Sequence, residues 1–144
     1  MTVTIAMAGK GGTGKTTLTA MILKYLRQKG GGSVLAIDAD PSSNLNTVMG
    51  LELDSTIGDI REETAVRTQG GVIHLSRRTT RDVDYLLVVS DPTIRGIIAA
   101  GRVAGVVDEL QTRVGKVGLV VNRAQGDLSP SLLEEIRKQG LELI

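Results

Sequence analysis

Gly9-Lys10-Gly11-Gly12-Thr13-Gly14-Lys15-Thr16-Thr17 follows the short apolar run Val3-Thr4-Ile5-Ala6-Met7-Ala8 and leads into a helical pattern. Strand, glycine-rich turn and helix N-terminus in that order form the context of a phosphate-binding loop, and the spacing G-x-x-x-x-G-K-[ST] is complete. Glycines let successive backbone N–H groups close around an anion without Cβ clashes. The helix starting near Lys15 adds unpaired amides and the positive end of its dipole. In such a loop Lys15 reaches the β- and γ-phosphates and the Thr16 hydroxyl ligates Mg²⁺, while Gly11, Gly12, Thr13, Gly14 and Thr17 complete the cradle. The expected ligand is a nucleoside triphosphate.

Composition narrows the rest. A chain of 144 residues is expected to form one domain, 1–144, with room for a sizeable core. A formal net charge of +1 supplies no global field directed at nucleic acid or an acidic membrane, so neither is an expected partner. Cysteine is absent, which excludes disulfides, thiolate chemistry and any Cys-ligated metal within these residues. No run resembles a signal peptide or reaches membrane-spanning length, so a soluble cytoplasmic protein is expected. Tyr25 and Tyr85 are the only aromatic residues besides His74. The core must therefore be Val, Ile, Leu and Ala, which suits a parallel sheet under helices and disfavours base stacking on aromatic rings.

Outward from the loop, Leu18, Met21, Ile22, Tyr25 and Leu26 recur at helical spacing, and Gly30-Gly31-Gly32 ends that helix. Ser33-Val34-Leu35-Ala36-Ile37 reads as a second buried strand, ending in Asp38-Ala39-Asp40-Pro41. A polar loop follows from Ser42, then a short helical pattern around Ile57 and Ile60. Arg61 to Asp84 is Arg-rich and the least legible stretch. Tyr85-Leu86-Leu87-Val88-Val89 is an apolar strand, and Asp91 with Pro92 opens a helix carrying Ile94, Ile97, Ile98, Val103, Val106, Val107 and Leu110. Val117 to Val121 is another strand, ending at Asn122-Arg123. Ser129-Pro130 starts a helix that Gly140 stops, and Leu141-Glu142-Leu143-Ile144 begins one more strand. This alternation predicts a doubly wound α/β fold, with a mostly parallel sheet and helices on both faces. Ligands of such sheets sit at the carboxyl ends of the strands, where Asp38, Asp40, Ser90-Asp91 and Asn122 also fall.

Asp38 and Asp40, two residues apart at a strand end, are expected to point the same way. Paired carboxylates there can serve a Mg²⁺ shell and orient a water for phosphoryl hydrolysis; alternatively, one of them caps the loop that follows. Asn122 can read an adenine edge with its amide, or can be a turn residue. His74 has no second His or carboxylate at metal-site spacing and reads as structural or surface.

Lys10 places a second lysine in the loop, K-G-G-T-G-K-T, which resembles the deviant Walker A motif of the MinD/ParA/nitrogenase-iron-protein class of ATPases. The resemblance implies a P-loop NTPase fold of the SIMIBI type and a homodimer that sandwiches ATP/ADP with Mg²⁺. Within it, Lys10 crosses the dimer interface to the partner's phosphates. Asp-x-Asp-Pro at 38–41 becomes the first switch, with Asp40 orienting the attacking water and Asp38 supporting Mg²⁺. V-V-N-R assigns Asn122 and Arg123 to the nucleotide. One branch fits best: His74-Leu75-Ser76-Arg77-Arg78-Thr79-Thr80-Arg81-Asp82-Val83-Asp84 and Val89-Ser90-Asp91-Pro92-Thr93-Ile94-Arg95-Gly96 look like the CooC-type carbon monoxide dehydrogenase maturation ATPases. That family inserts nickel into its client dehydrogenase.

The chain also departs from that family. Most of the family's central segment is missing, and with it a core strand, the second-switch Asp-x-x-x-Gly and the Cys-x-Cys pair that binds nickel or zinc between subunits. Gly71 alone can stand in for the switch glycine. The missing strand pairs with the phosphate-loop strand, so its loss is expected to leave a gap in the sheet; Val72-Ile73-His74-Leu75 is a candidate to fill it, but is short and matches a different part of the family. The family also continues past Ile144. A nucleotide-binding module without turnover and a MinD/ParA-like positioning ATPase are the alternative functions. On every one of these readings Lys15→Ala is expected to abolish ATP binding in calorimetric titration; an unchanged affinity removes the loop from the site.

Overall fold

The computed structural model describes residues 2–30, 32–40, 42, 44–53, 82–109 and 113–144. Its contacts divide the chain into two units, Met1–Lys15 with Arg78–Ile144, and Thr16–Arg77.

The first unit is built on a three-stranded parallel sheet of β1 (Ile5–Ala8), β2 (Asp82–Ser90) and β3 (Arg113–Val121), in the order β1-β2-β3. The apolar run of β2 fits its central place: Leu86, Val88, Val89 and Ser90 are buried, as expected of a strand paired on both edges and covered by side chains. Its register places Ile5 to Ala8 opposite Tyr85 to Val88, and Leu86 to Ser90 opposite Val117 to Val121. Both β2 and β3 begin earlier than their apolar runs suggest, because ladder pairing extends through the polar residues Asp82, Asp84, Arg113 and Lys116.

Helix α1 (Lys15–Lys29) and helix α2 (Leu45–Met49) come next in the chain, then α3 (Ile94–Glu109) and α4 (Pro130–Lys138). In the first unit α3 packs on β2 and β3, and α4 packs on α3. The core joins Leu86, Val88, Ile97, Ala100, Leu119, Leu132 and Ile136. The inward face of α3 runs through Ile97, Ala100, Val103, Ala104 and Val107, leaving the expected core residues Ile94 and Val106 exposed. Periodicity located the helix; the small residues Ala100 and Ala104 then let it approach the sheet closely, which a hydrophobicity count undervalues. Thr93, rather than Asp91, caps α3: its hydroxyl accepts the Gly96 N–H and donates to the Asp91 carboxylate. At α4 the expected cap stands, with Ser129 Oγ accepting the Leu132 N–H at 3.3 Å and Pro130 in the first turn. The terminal run joins the sheet beyond β3, where Leu143 bridges Leu119 in parallel.

In the second unit α1 keeps its expected span, with Arg27 and Lys29 in its last turn. Of its expected apolar face Leu18, Ile22 and Leu26 are half-buried, whereas Met21 and Tyr25 are exposed, Ala20 is buried, and Lys29 Nζ lies 5.6 Å from the Tyr25 ring centroid. Ser33 to Ile37 is not a buried strand. No ladder forms along it among the described residues, and Val34, Leu35 and Ile37 are exposed. Apolar and β-branched residues favour a strand, but a strand exists only beside a partner. Helix α2 carried no sequence signal, whereas Ile57, Ile60 and Val72 to Leu75 lie outside the described residues. The expected gap beside the phosphate-loop strand does not interrupt the sheet. β1 pairs directly with β2 and is the terminal strand of the order among the described residues.

The α/β class therefore stands, as a parallel sheet with flanking helices. No helix among the described residues is long and apolar enough to cross a membrane. Ile97 is fully buried, and Ile97→Ala is expected to cost about 2–5 kcal/mol in urea denaturation. Val106→Ala, on the exposed side of the same helix, should stay within about 0.5 kcal/mol.

Candidate functional site

The loop between β1 and α1 lies at the carboxyl ends of the strands, and three contacts within the first unit hold it. At its start, Gly9 passes so close to β2 that a Cβ would be driven into the Val89 carbonyl oxygen, and its φ is +140°. Only glycine accepts both conditions. At its centre, the Lys10 carbonyl accepts the Thr13 N–H at 3.4 Å, the Thr13 hydroxyl at 2.9 Å and the Lys15 ammonium at 3.3 Å. Thr13 is buried beneath this turn. At its end, Asn122 Nδ2 donates to the Thr13 carbonyl at 2.8 Å. Gly14, at φ +93°, leaves the space that the Asn122 amide fills, since a Cβ there would collide with Nδ2.

Asn122 is itself fixed by the sheet. Its N–H donates to the Ser90 carbonyl at 2.8 Å, continuing the β2–β3 ladder past Val121. Its Oδ1 accepts the Arg123 N–H at 2.9 Å, and Arg123 adopts φ +63°, the one positive value on a non-glycine residue among the described residues. A conformation this sparsely populated costs about 1–3 kcal/mol and survives where surrounding bonds over-determine it.

The loop contains Lys10 and Lys15 and no carboxylate, and the first turn of α1 has no acidic residue. Nothing within this segment therefore opposes the positive end of the helix dipole, the arrangement an anion requires. Gly11, Gly12 and Lys10 are exposed, so the tip of the loop is open to a ligand. Thr16 and Thr17 stand in the first turn of α1.

Asp38 and Asp40 belong to the second unit, as does Thr16. Asp38 Oδ1 accepts the Asp40 N–H at 3.1 Å and its Oδ2 accepts the Leu45 N–H at 3.0 Å. Asp40 Oδ1 accepts the Ser42 N–H at 2.9 Å. Asp38 thus caps α2 from seven residues upstream, while Asn44 at the cap position makes no side-chain cap. This capping was the alternative reading of the pair, and it coexists with ligand binding because each carboxylate oxygen has a second lone pair. Thr16, Asp38 and Asp40 each carry oxygen donors, the ligand type that a hard cation such as Mg²⁺ takes. Nickel or zinc is not fitted in the same way: the chain has no cysteine, and no three His, Cys, Asp or Glu side chains cluster among the described residues.

The link between Asn122 and the loop is the feature that sequence reasoning missed. It joins residues 109 positions apart, and no periodicity or spacing rule announces a contact between two loops at that separation. The one available signal was the position of Asn122 at a strand end.

The sequence profile of the CobQ/CobB/MinD/ParA nucleotide binding domain matches residues 4–144. An uncharacterised ATP-binding protein of Methanocaldococcus jannaschii is 27% identical over 208 aligned positions, covering 97% of this chain and 82% of that protein. Because 208 positions exceed the 144 residues of the chain, the relative carries dozens of residues within the match that have no counterpart here. The carbon monoxide dehydrogenase accessory protein CooC of Rhodospirillum rubrum is 47% identical over 47 residues, 33% of this chain and 18% of that one. Among solved structures, an ATP complex of Cyanothece McdA matches with a TM-score of 0.67 over 98% of this chain and 81% of that one, at 19% identity. At that identity it speaks to the fold alone. Gly14→Ala is expected to weaken ATP binding by roughly 5- to 150-fold in calorimetric titration, through about 1–3 kcal/mol of backbone strain at the loop.

Proposed function

The chain belongs to the CobQ/CobB/MinD/ParA nucleotide-binding domain family, and from that premise we propose that it is an ATP-hydrolysing dimerisation switch. The observation that carries this reading is the complete phosphate loop, closed on the Lys10 carbonyl and seated against the ends of β2 and β3. The backbone amides of Gly11 to Lys15 bind the phosphates of ATP, and Lys15 exchanges its contact with the Lys10 carbonyl for the β- and γ-phosphates. Lys10, exposed at the loop tip, reaches the phosphates of a second copy. Thr16 and Asp38 would hold Mg²⁺, which neutralises phosphate charge when bound. Asp40 orients the attacking water.

The client is the finer part of the reading. The short similarity to CooC, together with the His74–Gly96 pattern, supports a carbon monoxide dehydrogenase as the partner. Without cysteine in these 144 residues, the contribution to nickel insertion is the nucleotide-driven step and not thiolate carriage of the metal. A non-hydrolysing switch and a positioning ATPase are the competing readings, and the likeness to McdA supports a shared fold and no particular cargo.

Phosphate release and sedimentation, measured with Mg²⁺ and ATP on the same samples, test the proposal. Wild-type protein is expected to release phosphate and to sediment as a dimer. Asp40→Ala should still bind ATP but lose turnover by about a hundredfold or more, and Lys10→Ala should remain monomeric. ATP binding by the wild type without phosphate release makes it the non-hydrolysing switch instead.

A further inference from the structure

We infer that Asn122 is a positioning residue for the phosphate loop: the end of β3 sets the direction of the loop's amides and thereby the grip on the phosphates. The inference rests on the nucleotide reading of the loop and adds a control point to it.

Three bonds fix the side chain and backbone of Asn122: its N–H to the Ser90 carbonyl, its Oδ1 from the Arg123 N–H, and its Nδ2 to the Thr13 carbonyl. The orientation of the amide is forced. Rotated by half a turn, it would set Oδ1 against the Thr13 carbonyl and Nδ2 against the Arg123 N–H, opposing like with like on both sides. The Thr13–Gly14 peptide is trans, as are all the others described. In a planar trans peptide the C=O and the following N–H point to opposite sides. Holding the Thr13 carbonyl towards Asn122 therefore turns the Gly14 N–H away from β3. A phosphate-binding loop works by aiming successive N–H groups at one point, so a bond that orients one peptide plane in the loop acts on phosphate affinity without touching the phosphate.

Two further features belong to the same device. Gly14 lacks the Cβ that would displace the Asn122 amide. Arg123, whose N–H donates to Asn122 Oδ1, continues the chain in a left-handed backbone. The rival role for Asn122, reading the adenine edge, draws on the same two polar atoms, each of which makes one bond here and keeps a second hydrogen or lone pair.

The experiment separates the phosphate from the base. Wild-type protein, Asn122→Ala and the near-isosteric Asn122→Asp are titrated with Mg²⁺ and inorganic tripolyphosphate, with ATP and with GTP. Hydrogen exchange of the loop and β2 amides is followed in the ligand-free proteins. Both variants are expected to lose affinity for tripolyphosphate and ATP by the same factor, about tenfold or more, a difference of about 1.4 kcal/mol. The ATP-to-GTP preference should not change. Loop amides should exchange faster, with β2 amides as protected as in the wild type. Unchanged tripolyphosphate binding overturns the inference, and a shifted ATP-to-GTP preference alongside it makes Asn122 a base reader. Loss of β2 protection in both variants also overturns it, since Asn122 is then needed for the fold as a whole. A wild type that binds neither tripolyphosphate nor ATP overturns the nucleotide reading itself, a separate outcome.

Discussion

Everything described in the first unit depends on β2 being paired along both edges. Parallel ladders to β1 and β3 satisfy its backbone while Val88, Val89 and Ser90 are almost fully removed from solvent. A buried strand can tolerate that environment only with its N–H and C=O groups bonded. The candidate site is built from the last residues of this strand. Gly9 abuts the Val89 carbonyl, and the Ser90 carbonyl receives the Asn122 N–H. The start of the phosphate loop and the side chain that holds its end thus share one rigid reference. Ser90 carries a second load: a Cβ on Gly96 would strike its hydroxyl oxygen and the Asp91 carboxylate, so the first turn of α3 also seats against this strand end.

Rigidity at that point has a functional reason. Binding a phosphate with backbone amides requires that several peptide planes converge before the ligand arrives; otherwise the cost of ordering them is taken from the affinity. The Lys10 carbonyl, with three donors converging on it, closes the loop from inside. Gly9 and Asn122 secure it from outside. Glycine at both outer contacts is required by close approach as well as by φ, so the motif glycines encode contacts with β2 and β3 as much as flexibility.

What was legible in the sequence followed from how local each signal is. The loop, α1, α3, α4 with its Ser129 cap, and the apolar segments of β2 and β3 are all encoded by neighbours within a few residues. Ser33 to Ile37 has the composition of a buried strand, yet its state depends on a partner strand that local pattern does not report. The faces of α1 and α3 depart in part from the expected ones for a related reason. Ala20, Ala100 and Ala104 turn inward because small side chains permit close packing, while Met21, Tyr25, Ile94 and Val106 turn outward. In the site, candidate roles for Lys15, Thr16, Asp38 and Asp40 come from residue type and spacing. The capping of α2 by Asp38 and the grip of Asn122 on Thr13 do not, because each is set by tertiary geometry.

The division of the chain into two units has a consequence for how binding and turnover are encoded. Gly9 to Lys15, the ends of β2 and β3, and Asn122 all belong to the first unit. The three contacts that hold the loop therefore involve no residue between Thr16 and Arg77. Thr16, Asp38 and Asp40, the groups proposed to serve Mg²⁺ and to orient water, belong to the second unit. The chain is also shorter, within the aligned region, than its Methanocaldococcus relative. An intact phosphate loop is thus evidence for nucleotide binding in its own right, and hydrolysis has to be established from the carboxylates.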